Sequence, residues 1–165
     1  MTDIEHAMNV SILSRNIGIK LMLEEKTCAL LSIAGMLHDI GKMGVPIELL
    51  NKRTALTPEE YRIIQWHTTM GYTMLNNIPD QIHRMAAIAA LYHHERCDGS
   101  GYMGLYDEQI PIPARIVAVA DVYDALVSDR PYRRAWEKED AMDYMNDQAR
   151  EKLDRQIVDA LLAIV

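Results

Sequence analysis

Phenylalanine is absent from this 165-residue chain, and cysteine and tryptophan occur only twice each. Two cysteines, Cys28 and Cys97, exclude a disulfide framework, and their separation excludes a CxxC redox or zinc pair. No apolar run approaches the roughly 20 residues that span a bilayer, so no membrane segment is expected. The start, Met1-Thr2-Asp3-Ile4-Glu5-His6, has no signal-peptide pattern. Basic residues are outnumbered 17 to 24 by acidic ones, and the net charge of -7 argues against a DNA or RNA polymer as partner. A small anion is still compatible with a few focused cations. Strand alternation, internal repeats and low-complexity stretches are also missing.

What is present is helical material. Apolar residues make up 49% of the chain, with 11 Met and many Leu, Ile and Ala. That composition predicts an all-α single domain over 1–165, long enough to bury roughly 70% of its unfolded surface. Two cysteines in an acidic helical chain fit a reduced, cytoplasmic protein. The chain enters helical periodicity at once, with no leading cap or loop, and reads as a domain cut from a longer protein.

The pattern is organised around Leu37-His38-Asp39-Ile40-Gly41-Lys42. A helix over 28–37, capped by Thr27, ends there, because Gly41 stops it. Adjacent helical residues point about 100° apart, yet at a helix end an imidazole and a carboxylate can converge on ions beyond it. Upstream, a helix over 4–23 carries an apolar stripe of Ile4, Met8, Ile12, Ile17, Ile19, Leu21 and Leu23, with His6 on its edge and Gly18 as its weak point. Downstream, Pro46 starts a short helix through Leu50. Thr57-Pro58-Glu59-Glu60 forms a capping box that opens a longer one, whose apolar stripe turns His67 inward. Pro79 opens the next, mostly apolar up to His93-His94-Glu95-Arg96. Three glycines between Asp98 and Gly104 then enforce a loop. The stretch 115–126 is apolar on nearly every side except Asp121 and Asp124, which places it in the middle of a bundle. Amphipathic helices over 137–150 and 155–164 complete seven to eight helices.

Five places thus present histidine or carboxylate from apolar helices: His6, His38-Asp39, His67, His93-His94 and Asp121. Any one alone reads as a satisfied core group. Together they need a common partner, and a cation is the least costly one. Imidazole and carboxylate without paired thiolates suit iron, manganese, zinc or nickel rather than a structural zinc knot. More ligands are available than one tetrahedral ion can use, which favours two ions bridged by a carboxylate such as Asp39.

At this point the sequence resembles a known family. His38-Asp39 with distant His and Asp resembles the HD superfamily of metal-dependent phosphohydrolases. His38 to Pro46, His93 to Tyr102, Ile110 to Ile116, Ala120 to Leu126 and Asp129 to Arg133 resemble its HD-GYP branch. The resemblance implies a helical bundle of the HD type. It also implies a phosphodiesterase that hydrolyses cyclic di-GMP, or the mixed cyclic GMP-AMP, to a linear dinucleotide or mononucleotides in bacterial second-messenger signalling. A sensor or receiver domain preceding the bundle would make that activity a signalling output. The implied metal ligands are His6, His38, Asp39, His67, His93, His94 and Asp121, holding two divalent transition ions, iron foremost. Lys42 is the implied phosphate-side cation and, with Asp39, the implied catalytic residue. Gly101 and Tyr102 are implied to contact substrate, with Arg130 and Arg133 on its phosphates and bases.

Three departures stand out. The signature Gly-Tyr-Pro reads Gly101-Tyr102-Met103, so the loop loses proline's fixed φ and is expected to be more mobile. Thr2 stands where members with a third ion carry glutamate, which favours two ions. The tail near Leu153-Asp154-Arg155 lacks the usual Gly and Phe. Two other readings stay open: a cyclic-dinucleotide receptor or docking module with little turnover, and a general HD phosphohydrolase acting on mononucleotides.

Overall fold

Local punctuation decides most of the helix boundaries. The computed structural model describes residues 2–129, 134–149 and 151–165. Thr57 accepts the Glu60 N–H at 3.3 Å while Glu60 accepts the Thr57 N–H at 2.8 Å, and α4 (Pro58–Asn76) starts there with proline in its first turn. The same reciprocal pair, Thr2 with Glu5, caps α1 (Asp3–Lys20). A cap therefore does lead the first helix, and Thr2 supplies it.

Two other starts differ from expectation. After α1 the chain reverses at Met22, whose φ of 58° is left-handed, and α2 (Glu25–Leu37) begins with Glu25 rather than after Thr27. A carboxylate in the first turn suits the positive end of the helix. Asp80, not Pro79, opens α5 (Gln81–Tyr92): its side chain accepts the His83 N–H at 2.8 Å, satisfying a donor that proline cannot serve.

The remaining elements are a 3₁₀ turn (Ile40–Gly44), α3 (Ile47–Leu50), a second 3₁₀ turn (Asp107–Gln109), α6 (Ile112–Val127), α7 (Lys138–Gln148) and α8 (Arg155–Leu162). The fold is all-α, and among the described residues the one extended pairing is an isolated bridge between Asp98 and Tyr106. None of the described helices is long and apolar enough to cross a membrane.

α6 occupies the centre, with Ile116, Val117, Val119 and Ala120 inaccessible to solvent. Around it pack α1, α2, α5 and α8. The α1 stripe is a correction: Ile4, Met8, Ile12 and Ile19 are exposed, and the buried face is His6, Val10, Ser11, Ser14, Ile17 and Gly18. Small residues let the two helix backbones approach. A methyl on Gly35 of α2 would stand 2.8 Å from the Val10 carbonyl and 3.0 Å from the Ser11 Cα. Close packing of that face, together with the partners His6 finds on α6, outweighs burial of the bulkier stripe. Gly41 plays a similar part, for its Cα lies against the His67 carbonyl and the Gly71 N–H of α4, where no larger residue fits. That contact seats the His38–Lys42 segment on α4.

Candidate metal centre

Three histidines of the site are oriented by backbone carbonyls before any ion is considered. His38 Nδ1 donates to the Gly35 carbonyl at 2.7 Å, His67 Nδ1 to the Ile64 carbonyl at 2.7 Å, and His93 Nδ1 to the Ala90 carbonyl at 3.1 Å. A carbonyl can only accept, so each Nδ1 carries the proton and each Nε2 is left as a lone pair. Those three Nε2 atoms point at one carboxylate. They lie 3.3 Å from Asp39 Oδ2 (His38) and 3.4 and 3.8 Å from Asp39 Oδ1 (His67 and His93). His67 and His93 bring their Nε2 atoms within 3.4 Å of each other, two lone pairs face to face.

The second half of the site comes from α1 and α6. His6 Nδ1 bonds Asp124 Oδ2 at 2.6 Å, leaving Nε2 directed at Asp121 Oδ1, 3.2 Å away, and Asp39 Oδ2, 3.9 Å away. Lys42 Nζ lies 2.5 Å from Asp39 Oδ2 at the half-exposed rim. His94 stacks its ring 4.1 Å from that of His93 and 4.6 Å from that of Tyr102. Tyr102 also meets Tyr61 edge-on at 6.1 Å.

Two groups of donor atoms, each within 4.8 Å of one another, result: Asp39, His67, His93 and His94 in one, His6, His38 and Asp39 in the other. Asp39 belongs to both. His38 Nε2 and Asp39 Oδ1 are buried without a hydrogen-bond partner, an expensive state that a cation relieves. Converging lone pairs, a shared carboxylate and these orphaned atoms fit divalent metal ions, and the donor set is that of a transition metal. The structure thus gathers His6, His38, Asp39, His67, His93, His94 and Asp121, with Lys42 and Tyr102 at the edge and Gly101 in the adjoining loop. Arg130 and Arg133 lie outside the described residues.

The charges divide the site. Burial holds His67 and His93 below the ordinary imidazole pKa and takes His94 down to about 4, keeping their lone pairs free at neutral pH. Burial opposes charge on His6 too, but hydrogen bonds to Asp121 and Asp124 and the charge of Asp39 raise it to about 9. Against the same opposition, the adjoining His38 imidazole and the Lys42 ammonium hold Asp39 well below the usual carboxylate range. A raised imidazole pKa stabilises the fold fully below 6.5 and loses that contribution as pH climbs through about 9. Chelator-treated protein is therefore expected to melt at a lower temperature at pH 9.5 than at pH 6.5. Equal melting temperatures at the two pH values would exclude the His6 bridge.

Two residues of the site were not singled out from sequence. Asp124 fixes the His6 tautomer while its Oδ1 accepts Asn9 Nδ2 at 2.8 Å and Ser128 Oγ at 3.2 Å. Its signal was available, because Asp124 follows Asp121 by one turn on an otherwise apolar helix. Glu95, 2% exposed, accepts the N–H groups of Met103 at 2.7 Å and Leu105 at 2.9 Å. The residue replacing proline thus contributes a hydrogen bond that proline could not make.

Fold and site together define a helical-bundle protein with a histidine–aspartate metal centre. Residues 3–157 match the HD domain. The chain is 44% identical over 144 residues to the cyclic di-GMP phosphodiesterase response regulator RpfG of Xanthomonas campestris pv. campestris, covering 87% of this chain and 38% of that protein. It is 40% identical over 160 residues to a cyclic di-GMP phosphodiesterase of Thermotoga maritima, covering 96% and 44%. Among solved structures, Bd1817, an HDG"Y"P protein from Bdellovibrio bacteriovorus, shares the fold with a TM-score of 0.78 at 24% identity, over 99% of this chain and 52% of that one. This chain belongs to the HD domain family. It spans about two fifths of the length of the two curated relatives.

Proposed function

We propose that this chain is a metal-dependent phosphodiesterase domain that hydrolyses cyclic di-GMP to pGpG or GMP, with cyclic GMP-AMP as the related substrate. What carries this reading is the convergence of three imidazole Nε2 atoms from separate segments on the buried Asp39 carboxylate, shared by both donor groups. Names of the relatives support the substrate class. In this reading His67, His93 and His94 would hold one ion and His6, His38 and Asp121 the other, with Asp39 available to both. The donors are borderline in softness, which suits iron first, then manganese, nickel or zinc. Bound ions of this kind supply Lewis-acid polarisation of a phosphodiester and acidify a water molecule.

The chain's own residues supply the rest. Lys42 is a point cation at the rim, placed to balance charge that develops on non-bridging phosphate oxygens. Tyr102 offers a ring beside His94 on which a nucleobase can stack. Gly101 brings the loop close, since a Cβ there would stand 2.5 Å from the Glu95 Cα. Arg130 and Arg133 complete the anion contacts by their match to the family. A single catalytic domain over 1–165, driven by a sensor or receiver domain elsewhere in the protein and acting in the cytoplasm, is the arrangement that suits a signalling output.

Protein purified without oxygen is expected to contain close to two iron or manganese ions per chain and to convert cyclic di-GMP to linear products, as read by metal analysis and product chromatography. Tight binding of the cyclic dinucleotide without cleavage would replace the enzyme by a receptor. Faster cleavage of nucleoside monophosphates would replace it by a general phosphohydrolase.

A further inference from the structure

The Gly101–Leu105 loop is held by one side chain. Glu95 follows the candidate ligand His94 directly, is almost fully buried, and accepts with both carboxylate oxygens: Oε1 from the Met103 N–H at 2.7 Å, Oε2 from the Leu105 N–H at 2.9 Å. Gly104 makes this two-pronged contact feasible. Its φ of 73° turns the chain so that two N–H groups, one residue apart, face the same acceptor. Nothing crowds a Cβ at Gly104, where only the Gly99 carbonyl comes within 3.7 Å, so the need for glycine there is conformational. Gly101 at the other end rests on the backbone of Glu95 and Arg96. Between these anchors stands Tyr102, its ring 4.6 Å from His94 and 6.4 Å from His67.

We propose that Glu95 is a positioning residue that sets Tyr102 over the metal centre, and that Met103 supplies half of its grip through an N–H absent from the signature proline. Stiffness that the family signature takes from a ring is taken here from a charge-assisted hydrogen bond. Because both Glu95 oxygens accept, Glu95→Gln keeps shape but turns an NH₂ toward a backbone donor, and the clamp opens. Met103→Pro removes one of those donors, so the double variant has a compatible arrangement: the Gln oxygen takes the Leu105 N–H and its NH₂ faces a residue with nothing to donate. The substrate part of this inference rests on the phosphodiesterase reading above.

The experiment measures cyclic di-GMP and bis(p-nitrophenyl) phosphate hydrolysis by the metal-loaded chain, with amide hydrogen exchange at Met103 and Leu105. Glu95→Gln is expected to raise KM for cyclic di-GMP about tenfold. Its kcat and metal content should stay within about twofold, and its rate on the small diester, whose nitrophenyl rings offer less stacking area than a purine, should fall less than its rate on cyclic di-GMP. Exchange should quicken about tenfold at whichever of Met103 and Leu105 faces the new NH₂, and Glu95→Gln/Met103→Pro should recover most of the lost KM. Parallel loss of both activities and of metal would overturn the proposal, as would an unchanged KM or failure of the double variant to recover. A wild-type chain inert toward cyclic dinucleotides would instead sink the phosphodiesterase reading. The clamp is then judged by exchange alone, and unaltered exchange at both Met103 and Leu105 in Glu95→Gln overturns it.

Discussion

Asp39→Ala is expected to abolish metal occupancy and to lower turnover of cyclic di-GMP by at least about a thousandfold. Among the described residues no other side chain belongs to both donor groups. Removing it takes away the anion on which the Nε2 lone pairs of His38, His67 and His93 converge, and leaves the Lys42 ammonium without the carboxylate 2.5 Å away. The fold should survive. Residue 39 has φ -100° and ψ 8°, open to alanine, and the Lys42 N–H keeps its bond to the backbone carbonyl of residue 39. Asp39→Asn separates charge from shape, because it preserves volume and loses the anion. Both variants are to be read by metal analysis, product chromatography and circular dichroism. A helical, monodisperse Asp39→Ala that still binds metal and turns over would refute the shared-carboxylate centre.

Asp124→Asn should act at one end only. The carboxylate receives the His6 Nδ1–H on one oxygen and donors from Asn9 and Ser128 on the other. An amide there either turns its NH₂ toward His6, forcing the wrong tautomer, or turns it toward the Asn9 amide and the Ser128 hydroxyl. Either way His6 loses the anion that orients it and raises its basicity. Loss of a partner that orients a ligand costs about 10- to 100-fold in metal affinity. Stoichiometry in dilute buffer should accordingly fall from two ions toward one, with the His67, His93 and His94 group retained. Titration of chelated protein with Mn(II) measures both steps. Two equal high-affinity sites in Asp124→Asn would remove the residue from the centre.

Sequence legibility followed the range of the interaction. The Thr57–Glu60 box and the loop of closely spaced glycines depend on residues within a few positions of one another, whereas α2 ends at Leu37, before Gly41, which lies in the 3₁₀ turn pressed against α4. The inward turn of His67 and the central place of α6 follow from helical period alone. The ligand set was legible because unsatisfied polar groups on apolar helices are costly wherever they meet. Where local signals competed, as at Thr27 against Glu25 or Pro79 against Asp80, the winner depended on how the preceding turn closed.

The α1 face was decided elsewhere. Counting apolar residues chose Ile4, Met8, Ile12 and Ile19, whereas packing chose the glycine- and serine-lined side and the histidine that reaches α6. By itself the sequence determined an all-helical chain, its main capping signals and a set of imidazoles and carboxylates too numerous to be buried apart. Tertiary structure alone decided that Asp124 orients His6 from 118 positions away and that Glu95 holds the loop carrying Tyr102. The physical reason is that periodicity records which way a side chain faces, while a hydrogen bond or a shared ligand depends on a partner whose distance is set only when the helices pack.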